Sequence, residues 1–308
     1  MCNLKGGVIM KISANNVVYS MSAENKAAGS CKPGDTVIFE TKDCFSNQIQ
    51  SEDKLFETTD WDTVNPATGP LNIEGAEPGD TLKVKIEKLK LNDQGVMVVV
   101  PEMGFLDNFV KLSETKIIPI ENNKAVFSDK IKIDLNPMIG VIGTSPGKDE
   151  EAVPCGTPAS HGGNMDTKVI AEGATLYFPV KVPGAMLAMG DLHAAMGDGE
   201  VSISGIEIAG EVTVKVDVIK NKSITDPMVE DNNAFYAIAS GPSLDAAAKK
   251  ASDNMFVFLE ERLDLSANEI VMLMSAICDL QVSQVVDPEK TARMRVDKNV
   301  LAEYDLKF

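Results

Sequence analysis

Only two histidines occur in the 308 residues, and each lies in a short segment dense in glycine and carboxylate: His161-Gly-Gly-Asn-Met-Asp166 and Gly190-Asp-Leu-His-Ala-Ala-Met-Gly-Asp-Gly-Glu200. Imidazole is the commonest neutral metal ligand and the usual proton carrier near neutral pH. If residues 190–194 are extended, Asp191 and His193 project from one face, because side chains alternate along a strand. A turn at Gly197, Asp198 and Gly199 then brings Asp198 and Glu200 back toward them. The other segment offers His161, the Asn164 amide and the Asp166 carboxylate, with two glycines that let backbone approach a ligand. Nitrogen and oxygen donors of this kind suit Zn2+, and an oxygen-rich subset suits Ca2+. Neither spacing is as diagnostic as paired CxxC or HExxH, and turn-capping histidines among solvated acids remain the plainer reading of either segment alone.

The two segments resemble hallmark stretches of the acetamidase/formamidase family. So do residues 65–80, which begin Asn65-Pro-Ala-Thr-Gly-Pro70, and, more weakly, residues 43–49 and 279–284. The five stretches keep the family's order and cover nearly the whole chain. The resemblance implies a mostly β protein that hydrolyses short aliphatic amides to ammonia and a carboxylic acid with a divalent metal. It also puts Asp43 and Gln48 in the lining of the site.

Amide hydrolysis sets its own requirements: an activated water, charge stabilisation on the carbonyl oxygen and a proton for the leaving nitrogen. A divalent cation supplies the first two, and a nearby carboxylate moves the proton. The expected ligand pool is His161, Asp166, Asp191 and His193, of which three or four bind. Glu200 is the expected general base, Asp198 its support or alternate, and Asn164 orients the carbonyl or a ligand. Residues 65–70, with two prolines and a glycine around Thr68, form a stiff loop. It is either simply a turn or a rigid element through which Asn65, Thr68 and backbone amides meet the substrate. No stretch declares a Ser-Ser-Lys or Glu-Lys-Cys nucleophile system. A competing reading is a non-catalytic, small-molecule-binding β protein stabilised by calcium on Asp166, Asp191, Asp198 and Glu200.

Composition narrows the partners. With 46 acidic against 29 basic residues the net charge is −17, the wrong sign for binding nucleic-acid phosphates. No run of eighteen apolar residues suggests a membrane span, and no basic, apolar, small-residue leader suggests secretion, so a cytoplasmic protein is expected. The five cysteines are odd in number and scattered, as in a reducing compartment. Cys44 and Cys155 are expected as small buried residues. Trp61 is expected in packing, and a homodimer or higher homo-oligomer is expected to cover sheet edges.

These residues need a scaffold, and two textures supply it. Residues 7–220 read as a β-sandwich or barrel-like body, with strands near 36–40, 81–87, 95–100, 130–134, 175–182 and 211–218. Pro-Gly turns lie at residues 32–35, 77–80 and 182–185. Residues 221–308 read as an α+β unit with two helices on a small sheet. Helical spacing over 243–263 follows Ser243 as N-cap, Ser266 and Glu269 form a capping box opening a helix to about Ala276, and 279–286 alternate as a strand. The run Val271-Met-Leu-Met274 is expected to fill core.

Overall fold

The computed structural model describes residues 9–304, 306 and 308; the expected start of the body at Gly7 lies outside them. The mainly β expectation holds: among the described residues, 18 strands form one hydrogen-bonded sheet system beside a separate two-stranded pair. Strand β1 (Thr36–Thr41) is followed by β2 (Ala67–Ile73) and the long β3 (Thr81–Val99). Next come β4 (Met138–Gly143), β5 (Gly162–Asn164), β6 (Thr175–Pro179), β7 (Leu187–His193) and β8 (Glu207–Ile219). The C-terminal part holds β9 (Met228–Glu230), β10 (Ala234–Gly241), helices α1 (Leu244–Glu260) and α2 (Ala267–Ile277), β11 (Cys278–Gln284) and β12 (Lys290–Asp297).

Strand β8 lies antiparallel to both β1 and β3, and β7 pairs with β2, β4 and β8. Residues 81–87 and 95–100, expected as two strands, fall in the single strand β3 apart from Val100. The turn-like Asn92-Asp-Gln94 is absorbed as a bulge: Ile208 pairs with Gly95 while Gly210 pairs with Leu91. A bulge inserts extra residues without ending the ladder. Alternation along β1 and β8 sends Val37, Phe39, Val212, Val214 and Val216 into the main core with Leu82, Val84 and Ile86, as a half-buried strand requires.

The Pro-Gly turns form as expected. Asp35 and Asp80 each donate their N–H to the carbonyl three residues back, at 3.1 and 3.0 Å. Each also accepts the N–H of that residue through its carboxylate, at 2.9 and 2.8 Å. Ser243 caps α1 by accepting from Ala246 N at 3.2 Å, and Ser266 and Glu269 close the reciprocal capping box on α2. Helix α1 buries Ala251, Met255, Phe258 and Leu259 against β10 and β12. The Val271–Met274 run does not lie wholly in core: Leu273 and Met274 pack at its border, while Val271 and Met272 are exposed. On a short helix docked by one stripe, consecutive residues cannot all face inward.

Hydrogen bonding runs on through the expected boundary near 220, since β6 pairs with β9 as well as with β3. Gly199 also bridges to Gln284, and the Thr167 hydroxyl donates to Ser283 Oγ at 2.9 Å. The C-terminal elements thus reach the histidine segments directly. Among the described residues, no helix is long and apolar enough to cross a membrane.

Candidate active site

Strand β7 carries Asp191 and His193, and β8 opens with Glu207 directly opposite His193 in the ladder. Asn164 ends β5, Asp166 lies two residues beyond it, and Glu200 returns from the turn after β7. His193 Nε2 is 3.1 Å from Glu207, 3.5 Å from Asp191, 3.8 Å from Asp166 and 3.9 Å from Glu200. The side chains are almost fully buried. Donor atoms of Asp166, Asp191 and His193 lie within 4.8 Å of one another, as do those of His193, Glu200 and Glu207, and those of Cys44, Asp191 and Glu207.

The expected juxtaposition of Asp191 and His193 is present, but simple alternation does not produce it. Asp191 has φ +56°, and Asp166 and Glu200 also occupy the left-handed region at +38° and +47°. Such conformations strain a residue with a Cβ and persist only where the surroundings hold them. Two glycines make room. A Cβ on Gly140 would lie 2.5 Å from Asp166 Oδ1 and 2.6 Å from Asp191 Oδ2, and one on Gly205 would lie 2.6 Å from His193 Nδ1.

Crowded acids out of water resist ionisation. Burial, then Glu200 and Asp191, holds Asp166 well above the usual carboxylate range. Burial pushes Glu200 up to about 8 against the pull of His193. Glu207 rises to about 7, also mainly by burial and also against His193. Burial opposes the charge on His193, but Glu207 and Asp191 outweigh it and raise the imidazole well above its ordinary value. Many atoms here have no hydrogen-bond partner: both oxygens of Asp166, Asp191 Oδ1, Glu207 Oε2, Asn164 Oδ1 and both ring nitrogens of His193. Buried polar atoms left so are costly unless something binds them. Carboxylate oxygen, amide oxygen and imidazole nitrogen are together a donor set that fits a divalent cation.

From this cluster Asn164, Asp191, Glu200 and Glu207 floor a cavity of about 500 Å³, whereas Asp166 and His193 are not in its lining. Its other polar lining comes from Asn65, Asp287 and Lys290, and Phe45, Phe56, Trp61, Val98, Met103 and Ile203 are among its apolar walls. Asn65 reaches the cavity, held with φ +53° by its N–H bond to Cys44 O at 2.7 Å.

Other expected site residues sit elsewhere. His161 is buried but outside the metal-holding groups, where burial and then Lys181 lower its imidazole to about 4. Lys181 bonds Glu150 at 2.8 Å and Ser160 Oγ at 3.0 Å. Asp198 turns away from the cluster to accept two hydrogen bonds from the Arg293 guanidinium, both at 2.9 Å, and forms a 2.9 Å ion pair with Lys168. Thr68, fully buried on β2, donates to Glu40 O at 2.7 Å. Gln48 donates to Thr63 Oγ1 and accepts from Asp60 N, both at 3.0 Å, which ties down the segment carrying Trp61. Asp43 accepts from Phe45 N and Asn47 N at 3.0 and 2.7 Å and shapes the turn before the cavity wall. Trp61, expected in packing, is 51% exposed with its ring 4.3 Å from that of Phe56.

Glu207 and Asp287 escaped sequence reasoning. Glu207 sits between Ile206 and Ile208, and the alternation of β8, which buries Val212, Val214 and Val216, assigns it to the wet face with Thr213, Lys215 and Asp217, so the local pattern conceals it. Asp287 has no local signal, because the loop between β11 and β12 reaches the cavity only by tertiary docking.

A mainly β scaffold thus gathers a buried acid–imidazole cluster, whose donor atoms could hold a metal ion, beside a half-apolar cavity. The chain belongs to the Acetamidase/Formamidase family, whose model matches residues 22–152 and 149–301. It is 29% identical to a formamidase of Methylophilus methylotrophus, over 71% of this chain and 70% of the relative. It is also 29% identical to a putative formamidase of Schizosaccharomyces pombe, over 63% of this chain and 62% of the relative. The chain thus spans somewhat under two thirds of the length of the fission-yeast relative. Among solved structures, an acetamidase from Bacillus halodurans superposes with a TM-score of 0.94 at 48% identity, covering 96% of this chain and all of the other. A protein described as a predicted acetamidase/formamidase from Thermoanaerobacter tengcongensis gives 0.95 at 47%, covering 98% and 100%. The family and these relatives are named for hydrolysis of an amide C–N bond.

Proposed function

We propose that the cavity is the active centre of a metal-assisted amidohydrolase that cleaves linear amides, formamide and acetamide among them, to ammonia and a carboxylate. The observation that carries this reading is the set of buried, unpartnered atoms on Asp166, Asp191, His193 and Glu207 facing one another beside the cavity, which Asp191 and Glu207 line. Several carboxylates sharing one dry site repel, and a cation offsets that repulsion.

A divalent cation, Zn2+ in this reading with Ca2+ the alternative, would be held by Asp166, Asp191 and His193 beside Glu207, and when bound supplies Lewis acidity for the carbonyl and a lowered pKa for water. Glu200 enters both the cluster and the cavity lining, so its carboxylate takes the proton of the attacking water and returns it to the leaving nitrogen. Asn164 offers its amide to the carbonyl end, and Asn65 bounds the cavity beside it. Asp198 supports the Glu200 turn from outside through Arg293. The low-dielectric floor strengthens each of these interactions relative to water.

A homodimer or higher homo-oligomer in the cytoplasm completes the reading. The exposed apolar run of Phe105, Leu106, Phe109 and Leu112 supports association, because such patches seek a cover. The test is ammonia release from formamide and acetamide by purified protein, before and after chelation and after restoring Zn2+ or Ca2+. Loss and metal-specific recovery of turnover are expected. Chelation that lowers Tm in a protein that turns over no amide would instead favour the calcium-stabilised binding protein.

A further inference from the structure

We propose that the apolar wall of the cavity is an acyl-binding surface, so that primary amides with a mid-length apolar acyl chain are better substrates than formamide or acetamide. The inference rests on the amide-hydrolase reading above and names its substrate class. The clustered carboxylates Asp191, Glu200 and Glu207 form the floor, with Asn65, Asp287 and Lys290 also in the lining, while Phe45, Phe56, Val98, Met103 and Ile203 pack together as one apolar cluster that Trp61 joins through Phe56. The aromatic part is continuous: the Phe45 and Phe56 rings are 5.4 Å apart, and Phe56 and Trp61 are 4.3 Å apart. Trp61 keeps half its surface exposed, which a bound chain would cover.

Size decides the point. The cavity of about 500 Å³ lies in the ~300–1,000 Å³ range of sites that enclose drug-sized ligands. Acetamide displaces roughly the volume of two or three waters at ~30 Å³ each, and so touches little of this wall. When the amide is at the floor and its nitrogen carries no substituent, only the acyl chain can extend toward the rings. Burial of each methylene raises kcat/KM about fourfold, which compounds to roughly 10²-fold from acetamide to hexanamide.

The experiment measures kcat/KM by ammonia release for acetamide, butanamide and hexanamide with the parent protein, Trp61→Ala and Met103→Ser. The expected result is a rising series, with the hexanamide-to-acetamide ratio reduced about tenfold in at least one variant. Acetamide turnover with a flat or falling series, or a rising series whose ratio neither variant moves, overturns the acyl surface and leaves the amide-hydrolase reading standing. Absence of turnover on every amide overturns that reading, and the acyl surface with it.

Discussion

Replacing Gly140 by alanine tests the geometry of the floor without touching a single functional group. The added methyl would lie 2.5 Å from Asp166 Oδ1, 2.6 Å from Asp191 Oδ2 and 2.9 Å from the Asp191 carbonyl oxygen. Ordinary contact begins near 3.4 Å, so the two carboxylates must retreat by about 0.9 and 0.8 Å. Both are short side chains on strained backbone, and the Asp191 carbonyl cannot move without β7. Functional groups tolerate displacement of only about 0.5 Å, and a misplacement of about 1 Å costs on the order of 10²-fold. Gly140→Ala should therefore lower kcat/KM for acetamide about 10²-fold, or about 2.7 kcal/mol of transition-state stabilisation, and release bound metal. Overpacking should cost about 1–3 kcal/mol of folding stability. Gly197→Ala is the control, since its Cβ would meet nothing within 4 Å. Metal content by mass spectrometry, ammonia release and urea unfolding are measured on both variants. Full metal content and full activity in Gly140→Ala would refute the argument that Asp166 and Asp191 act from these positions.

Two further outcomes separate roles within the site and outside it. Glu200→Gln should retain metal while kcat falls about 10²–10⁴-fold, the range typical of lost general-base help, whereas Asp191→Asn should lose metal; the reverse pattern in a metal assay would exchange the two roles. His161 has a folded-state pKa near 4, below the ordinary 6.5, so its contribution to stability is whole above pH 6.5. As pH falls from 6.5 toward 4, the unfolded chain takes a proton that the folded chain refuses, and up to about 3 kcal/mol is lost. His161→Gln should flatten this loss in urea-unfolding free energies compared at pH 7 and 4.5, and equal losses in both proteins would count against a neutral, buried imidazole.

The acidic charge, the alternating strands, the Pro-Gly turns and both helix caps were legible in the sequence, because each depends on residues within a few positions of one another. Asp35 and Asp80 close their own turns, and Ser266 meets Glu269 one helical turn away. The same locality made the pairing of Asp191 with His193 readable, although the left-handed backbone at Asp191 was not. The single strand from Thr81 to Val99 was hidden, since Asn92-Asp-Gln-Gly95 has turn chemistry and only its partner β8 shows that the ladder continues.

The membership of the cluster was a tertiary decision. His161 and Asp198 stand in the same glycine-rich segments as Asp166 and Glu200, yet Lys181 lies by the first and Arg293 and Lys168 hold the second. Glu207 and Asp287, which no motif marks, arrive through the register of β8 on β7 and the docking of the loop between β11 and β12. Residue type and spacing determine which groups are available for chemistry near one another in the chain. Strand register, bulges and clearances such as that at Gly140 determine which of them share one dry volume, because those depend on contacts between segments far apart in sequence.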